Sequence, residues 1–257
     1  MKSFNQSLKL RQSKWNVTNL NTNELFRWIN NRLDDYFSLR IQPSSKARLS
    51  RCRTNLLRER RVDCVFDVGA NQGQFGQQIR NDGYTGRIIS FEPTTAVAKL
   101  NDVISNDESW KAFNVALSDF EGLQEMFLSS NDLLSSSLLR PTEILNHLPV
   151  DFVGKAMVQV ERLDSYLDDL GSENYLKLDV QGSELRVLKG AHKAIERFQV
   201  VEFESAIIPL YEAEADFWEI CDFLKQANFD SVLMVPTHWD ATGRLVSLDS
   251  IFVRVDQ

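Results

Sequence analysis

The chain has 257 residues, of which 43% are hydrophobic and 10% aromatic, so it can form one sizeable core with a small appendage. Asp and Glu outnumber Lys and Arg by 36 to 29, and this balance argues against nucleic-acid partners, which need a broad positive face. No apolar run is long enough to span a bilayer, and we expect a cytoplasmic protein without a transmembrane segment. The three cysteines are far apart in sequence, which favours reduced thiols over disulfides or a zinc site.

Residues 1–61 are predicted to form a helical extension ahead of one domain at residues 62–257. A helix is expected at 23–37, either as a cap or as an arm that forms a homodimer. Residues 46–61 contain seven basic residues and one acid, and their leucines recur at helical spacing. This pattern predicts an amphipathic helix that packs on the domain with its arginines in water. The alternative is a basic patch, Lys46 to Arg61, that docks an anionic partner such as a lipid surface in peripheral association.

A glycine-paced turn follows the first predicted strand and is the most informative motif of the chain. The run Cys64-Val65-Phe66 leads into DVGANQG, residues 67–73, and a helix is expected at 74–81. Strand, glycine turn and helix in this order open a doubly wound α/β domain whose turn binds a nucleotide-like ligand. The spacing G-x-x-x-G-x-x-G differs from the dinucleotide motif G-x-G-x-x-G, and no Lys or Arg lies between residues 61 and 80.

Asp67 discriminates between the ligands that such a turn can bind. Its carboxylate would repel a pyrophosphate, but it can pair with the ammonium group of a cationic, phosphate-free nucleoside such as S-adenosylmethionine. Glu92 ends the second predicted strand, where its carboxylate can accept hydrogen bonds from both hydroxyls of a ribose; an ordinary surface acid is the alternative. The predicted cofactor site comprises Asp67, Gly69, Ala70, Asn71, Gly73, Phe75, Glu92 and Pro93.

The later strands extend the predicted crevice. A third core strand at 110–117 should place Ala116, Leu117 and Ser118 beside the adenine, because the carboxyl ends of parallel strands line the binding crevice. Strands at 123–128 and 156–163 flank a serine-rich stretch, 129–137, that we expect to be an active-site lid or disordered. Core strands at 174–179 and 200–204 end in acids. A helix at 213–226 and an antiparallel hairpin of 229–235 and 250–255 complete the sheet.

Asp179 and Glu204 should face one crevice, and both are predicted to be catalytic. Asp179 is also predicted to contact the cofactor. The two acids could act as the base that removes a hydroxyl proton, or jointly bind Mg²⁺. No metal is expected, because no third ligand has a convincing spacing, although Mg²⁺ on these two acids stays open. His238, in the loop expected after the sixth strand, is a third catalytic candidate. The predicted substrate site comprises Ser135, Ser136 and Ser137, with Tyr211 and Trp239 as flat walls.

Eight sequence blocks occur in a defined order: VFDVGANQG (65–73), ISFEP (89–93), NVALS (114–118), SSSLL (135–139), RLDS (162–165), LKLDVQGSELRVLKG (176–190), PLYE (209–212) and TGRLVSLDSIFVR (242–254). Through these blocks, over roughly residues 45–255, the chain resembles the FkbM family of S-adenosylmethionine-dependent methyltransferases. The resemblance implies the class I, Rossmann-like fold: a seven-stranded, mostly parallel sheet with an antiparallel last hairpin. It also implies a cofactor site at Asp67, Gly69, Asn71, Gly73 and Glu92, and methyl transfer mostly to oxygen of sugars or natural products. Where many relatives read DVEGAE, this chain has Gln181 and Ser183.

A small-molecule or glycan acceptor is therefore the expected partner, with two rival functions left open. The first is a nicotinamide-dependent sugar epimerase or dehydrogenase, which shares the strand-turn-helix unit, but the chain lacks the Tyr-x-x-x-Lys motif of that class. The second is a non-catalytic adaptor that keeps the fold, with or without bound cofactor, while its basic segment docks a partner. The four acids at positions 67, 92, 179 and 204 argue against a decayed site.

Overall fold

The computed structural model describes residues 44–145, 150–240 and 242–255, so the helix expected at 23–37 lies outside the described residues. The α-helices are α1 (Ser45–Glu59), α2 (Gln74–Asn81), α3 (Val97–Ile104), α4 (Glu184–Lys189) and α5 (Phe217–Gln226). The strands are β1 (Cys64–Val68), β2 (Arg87–Phe91), β3 (Trp110–Phe113), β4 (Ala116–Leu117), β5 (Gly122–Ser129), β6 (Phe152–Glu161), β7 (Asn174–Leu178), β8 (Phe198–Ala206), β9 (Phe229–Trp239) and β10 (Leu245–Arg254). None of the helices in these ranges has the length and apolar composition needed to cross a bilayer.

Seven strands form the central sheet, in the order β3-β2-β1-β7-β8-β10-β9. The first five strands in this order, β3, β2, β1, β7 and β8, run parallel to one another. Strand β10 is antiparallel to both β8 and β9. The strand order reverses between β1 and β7, and in open α/β sheets a crevice forms at such a point, outside the carboxyl ends of the strands. The predicted class I methyltransferase fold, with its antiparallel last hairpin, is confirmed.

The prediction of one third strand at 110–117 is wrong, because the chain leaves the central sheet after Phe113. The side-chain amide of Asn114 donates to the backbone carbonyl of Glu92 at 2.8 Å, which turns the chain at this point. Ala116 and Leu117 then pair with β6 in a separate three-stranded sheet of order β4-β6-β5. The strands predicted at 123–128 and 156–163 form the rest of this small sheet as β5 and β6, although β6 begins earlier, at Phe152, and ends at Glu161, because a 3-10 helix starts at Leu163.

Helix α1 packs on the central sheet through Leu49, Leu56 and Leu57, which confirms the amphipathic helix predicted from their spacing. The expectation that its arginines lie in water is wrong for Arg53, which is 4% exposed. Arg53 forms an ion pair with Glu202 of β8, a fully buried carboxylate that needs a counter-charge. The boundary expected at residue 61 and the docking role of the basic patch stay predictions.

Elements in the last third of the chain also differ from their predicted bounds. Helix α5 begins at Phe217 and not at residue 213, because Asp216 and Glu219 form a reciprocal capping box that fixes its first turn. His238 lies within β9 and not in the loop after it, since β9 continues to Trp239 in its pairing with β10. The hairpin predicted around residues 242–243 is confirmed.

Candidate active site

A cavity of about 300 Å³ opens at the carboxyl ends of β1, β2 and β7. Three carboxylates line it, from Asp67, Glu92 and Asp179, among walls that are otherwise mostly apolar. The further predicted cofactor residues that line this first cavity are Gly69, Ala70, Asn71, Phe75, Pro93, Ala116 and Leu117. The structure therefore brings most of the predicted cofactor site together around one space.

Asp67 belongs to a polar row that crosses the buried sheet. In register with it stand Ser90 on β2 and Lys177 on β7, and the Ser90 hydroxyl donates to the Asp67 carboxylate at 3.3 Å. Burial raises the pKa of Asp67 to about 7, although the positive charge of Lys177 opposes this rise. Burial has removed the water that would stabilise the negative charge of this carboxylate. A cationic ligand in the cavity would therefore stabilise its ionised form.

The turn after β1 passes very close to the segment that follows β7. At Gly69, where φ is +83°, an added Cβ would lie 1.9 Å from the carbonyl oxygen of Asp179. Glycine is thus required both by the backbone conformation and by the lack of space. This contact sets the glycine-paced turn of residues 67–73, called the cofactor turn below, directly against the acid that follows β7.

Glu92 is 4% exposed and is held in place by backbone donors. Its carboxylate accepts the amides of Asn71 and Thr94, each at 2.8 Å. Burial raises the pKa of Glu92, which these hydrogen bonds partly oppose. The Thr94 hydroxyl also donates to this carboxylate, so the two Thr94 donors fill the acceptor sites of Oε1. Oε2 holds only the Asn71 amide and can still accept a ligand hydroxyl from the cavity.

The serine-rich stretch, expected as a lid or as disorder, lies over the first cavity. The side-chain amide of Asn71 donates to the carbonyl of Asp132 at 2.9 Å, which ties the stretch to the cofactor turn. Leu133 and Leu134 line the cavity beneath it. Leu133 has a φ of +64°, a costly conformation for leucine that persists where the surroundings fix the chain.

A second cavity, of about 460 Å³, adjoins the first. Leu134, Asp179 and Gln181 line both cavities, so the two spaces share one wall. The charged and titratable residues that line the second cavity are Asp179, Glu184, Glu204, Glu214, Tyr211 and His238. None of the described residues that line it is a lysine or an arginine. Burial raises the pKa of Glu184 to about 8 and also raises that of Glu214, so the negative charge of this cavity comes mainly from Asp179 and Glu204, in contrast to a phosphate site.

Glu204 and His238 lie together on the wall of this second cavity. The Nδ1 atom of His238 lies 3.0 Å from the Ser247 hydroxyl and 3.6 Å from a carboxylate oxygen of Glu204. Interaction with Glu204 raises the pKa of His238. Burial alone would raise the pKa of Glu204. The hydrogen bond with His238 and the positive charge of Lys177 outweigh burial, so the pKa of Glu204 is lowered. The arrangement is a histidine oriented by a carboxylate, with the other ring nitrogen left for a partner.

Several predicted site residues lie elsewhere. The Ser118 amide donates to the carbonyl of Glu161 in the small sheet at 2.9 Å, and Ser118 does not line the first cavity. Gly73 also lies outside the lining, in the turn that starts α2. Trp239 is 53% exposed and lines neither cavity. The expected adenine contact of Ser118 and the substrate wall of Trp239 have no support from this placement.

The predicted substrate residues divide between the two cavities. Ser136 lines the first, whereas Ser135 and Tyr211 line the second. Ser137 is buried and donates its hydroxyl to the carbonyl of Gln181 at 2.7 Å. The Tyr211 hydroxyl lies 2.9 Å from the carbonyl oxygen of Ser135, so this tyrosine supports the serine-rich stretch from below.

Sequence reasoning missed Lys177, which lines the first cavity, and two residues of the shared wall, Leu134 and Gln181. Lys177 is a charged residue within the otherwise apolar run of β7, and such an interruption of a buried strand is a signal that could have been used. Gln181 gives no comparable signal, because its position depends on the turn after β7. Within the described residues, no group of three or more His, Cys, Asp or Glu side chains could hold a metal ion.

Comparison with known proteins places these features in a family. The chain is 26% identical over 205 residues to a 2-O-methyltransferase, NoeI, of Sinorhizobium fredii (strain NBRC 101917 / NGR234), which covers 76% of this chain and 83% of that protein. An rRNA methylase from Streptococcus thermophilus aligns with a TM-score of 0.46 at 11% identity, over 85% of this chain and 100% of that one. The precorrin-6y C5,15-methyltransferase of Geobacter metallireducens GS-15 aligns with a TM-score of 0.45 at 11% identity, over 87% and 96%.

A family model described as the methyltransferase FkbM domain matches residues 67–231. The matched range begins at the acid of the cofactor turn and extends into β9, so it contains both Asp67 and Glu92, the Asp179 segment and Glu204. Because this range is more than half of the chain, the protein belongs to the FkbM family and is a methyltransferase.

Proposed function

We propose that this methyltransferase uses S-adenosylmethionine to methylate a hydroxyl oxygen of a sugar, a glycan or a similar polyhydroxylated acceptor. The observation that carries the proposal is the wall shared by the two cavities, formed by Leu134, Asp179 and Gln181. A donor in the first cavity and an acceptor in the second would meet at this wall. Alignment of two reactants can remove on the order of 7–11 kcal/mol from the barrier of such a reaction.

The residues of the first cavity fit the proposed cofactor. Glu92 would accept a hydrogen bond from a ribose hydroxyl through its Oε2, and Asp67 would pair with the ammonium group, directly or through water. Phe75, Ala116 and Leu117 supply apolar surface suited to an adenine ring. When bound, S-adenosylmethionine supplies its methyl group from a sulfonium centre.

The acidic lining of the second cavity favours a neutral acceptor. A phosphate or carboxylate group would enter a space that presents Asp179 and Glu204 and no described lysine or arginine, and repulsion would oppose its binding. Hydroxyl groups, in contrast, can donate hydrogen bonds to these acids. The lining therefore supports a polyhydroxylated acceptor and argues against a nucleic acid.

A base is needed to remove the proton of the acceptor hydroxyl, and we assign this role to His238. Glu204 and Ser247 contact its Nδ1 side, which leaves Nε2 as the proton acceptor. Glu204 then acts by orienting the ring and stabilising its charged form. Asp179, 40% exposed on the shared wall, would accept a hydrogen bond from the reacting hydroxyl. The similarity to NoeI, a 2-O-methyltransferase, supports oxygen as the methylated atom.

An acceptor screen tests the proposal. Methyl-labelled S-adenosylmethionine would be offered with neutral sugars, the matching uronic acids, the matching amino sugars and short oligonucleotides, and products located by mass spectrometry. We expect label on an oxygen of neutral sugars, with uronic acids and oligonucleotides poorer by on the order of 10-fold or more, as like-charge repulsion requires. Label on nitrogen, or preference for the anionic acceptors, would overturn the assignment.

A further inference from the structure

Gln181 occupies the junction of the two cavities in a conformation that its surroundings impose. Its φ is +53°, in the left-handed region that a non-glycine residue adopts at a cost. Its carbonyl oxygen accepts the Ser137 hydroxyl at 2.7 Å, which ties it to the serine-rich stretch. The side chain lines both cavities, so its position is fixed relative to both proposed reactants.

The side-chain amide of Gln181 has two different partners. Its nitrogen donates to Oδ1 of Asp179 at 2.9 Å, and its oxygen lies 3.1 Å from the Tyr211 hydroxyl. An ionised carboxylate can only accept a hydrogen bond, so Asp179 fixes the orientation of the amide, with its nitrogen towards Asp179. The single proton of Tyr211 is shared between the Gln181 oxygen and the Ser135 carbonyl, which lies 2.9 Å from the hydroxyl. A carboxylate at position 181 could use the tyrosine but would have no proton for Asp179. An amide is therefore the group that satisfies both sides.

The second oxygen of Asp179 is held from the opposite direction. Its Oδ2 atom lies 3.6 Å from the ammonium of Lys177, which is buried within β7. The amide on one oxygen and the cation on the other restrict rotation of a carboxylate that is otherwise 40% exposed. Such a side chain would be free to turn into solvent without these two contacts.

We propose that Gln181 is a positioning residue whose amide holds Asp179 as a hydrogen-bond acceptor, aimed at the junction where the acceptor hydroxyl meets the methyl donor. The inference rests on the proposed function for its catalytic consequence. Gln181 itself supplies no proton and no base. Its effect is to keep an acceptor in the geometry that a displacement requires, where a misplacement of about 1 Å costs on the order of 100-fold in rate.

Replacement of the amide by an acid gives a test with a distinctive pH dependence. A carboxyl group introduced at position 181 would share its proton with Asp179 at low pH, and would repel it once ionised. The titratable and charged groups that line the two cavities around this junction are Asp67, Glu92, Lys177, Glu184, Glu204, Tyr211, Glu214 and His238. None of these groups is replaced by the substitution, but a new carboxylate acts on their charges as well, so the kinetic comparison is paired below with a structural readout at Asp179.

The first experiment compares kcat of wild type, Gln181→Glu and Gln181→Met between about pH 5 and about pH 8.5, the range over which a paired carboxyl titrates. We expect Gln181→Glu to lose on the order of 10- to 100-fold at the upper end and much less at the lower end. Gln181→Met should lose a constant factor at every pH, and KM for S-adenosylmethionine should stay within about threefold. Gln159→Glu, exposed on β6, controls for added charge. A pH-independent ratio for Gln181→Glu would overturn the inference.

The second experiment does not depend on any acceptor. Crystal structures of Gln181→Glu at about pH 5 and about pH 8.5 would show the Asp179 carboxylate in contact with residue 181 at the lower pH and turned away at the higher. An unchanged contact at both values would contradict the positioning role. If wild type methylates no sugar, the proposed function fails, and these structures still decide the role of Gln181.

Discussion

Substitution of Arg53 by methionine removes one half of a buried ion pair that ties helix α1 to the sheet. The Nε atom of Arg53 donates to a carboxylate oxygen of Glu202 at 2.8 Å, and a second guanidinium nitrogen contacts the other oxygen. Tyr175 donates its hydroxyl to the same carboxylate. The guanidinium also lies 4.7 Å from the ring centroid of Phe75, which lines the first cavity. Methionine keeps the apolar stem and removes the charge.

The expected loss of stability follows from what Glu202 retains. Glu202 is 0% exposed, so without Arg53 its charge keeps the Tyr175 hydroxyl and the more distant Lys177 but no direct cation. Removal of one partner of a buried ion pair typically costs about 3–5 kcal/mol. For a domain of this size, each kcal/mol lowers Tm by about 2–4 °C, so the variant should melt about 6–20 °C below wild type.

The same pair predicts a pH dependence of the loss. Burial alone would raise the pKa of Glu202, but Arg53, with its hydrogen bonds, and Lys177 lower it below its ordinary 4.5. Because the folded-state pKa is depressed, the stabilisation is present above pH 4.5 and is lost as pH falls through the folded value. The gap between Arg53→Met and wild type should therefore be widest near neutral pH and shrink in acid.

Urea and thermal unfolding of four proteins measures the effect: wild type, Arg53→Met, Glu202→Met and the double variant. We expect the double variant to be more stable than Arg53→Met, because removal of both charges leaves no unpaired carboxylate. Arg51→Met, in the same helix at an exposed position, serves as the matched control. A loss below about 1 kcal/mol for Arg53→Met, or equal losses in the two arginine variants, would refute the reasoning.

Three further predictions concern the site. Gly69→Ala should abolish folding or lower Tm by about 10 °C or more. The control Gly83→Ala, where φ is +95° and no atom lies within 4 Å of the added carbon, should lose about 1 kcal/mol of stability; equal losses would contradict the close approach of Gly69 to the Asp179 carbonyl. Asp67→Asn should raise Tm by about 3 °C or more at pH 8, because it removes a buried charge whose folded pKa is about 7. Calorimetry should show that the same variant binds S-adenosylmethionine on the order of 10-fold more weakly, and unchanged affinity would exclude Asp67 from the cofactor site. The rate of methyl transfer should rise with pH as His238 loses its proton, and Glu204→Gln should move this rise to lower pH, because Glu204 raises the pKa of His238; an unmoved profile would exclude the pair.

The cofactor half of the site was predictable because its signals are local. A glycine-paced turn after an apolar run and an acid at the end of the next strand both lie within short segments, and the structure brings Asp67 and Glu92 to one cavity. The parallel sheet then fixes where the carboxyl ends of the strands meet. The last hairpin was likewise predictable from its alternating pattern and its turn.

The features that were missed depend on contacts between distant parts of the chain. Both halves of 110–117 are apolar, and the break between β3 and β4 is set by the bond of Asn114 to the end of β2. The spacing of α1 predicts an amphipathic helix but cannot tell which arginine meets Glu202, far along the sequence. Lys177 lies among the apolar residues of β7, and Glu202 among those of β8. These two charged residues were the available sign that a counter-charge was needed.

The most direct test of the central claim is a calorimetric titration of S-adenosylmethionine into wild type, Glu92→Gln and Glu125→Gln, with NAD⁺ as the competing cofactor. Glu125 is exposed on β5 and controls for the chemical change. We expect wild type and Glu125→Gln to bind S-adenosylmethionine alike, with Kd of about 1–100 µM, and Glu92→Gln to bind on the order of 10-fold more weakly, since the ribose loses a charged acceptor. Binding of NAD⁺ in its place, or equal affinity in all three proteins, would contradict the assignment of the first cavity.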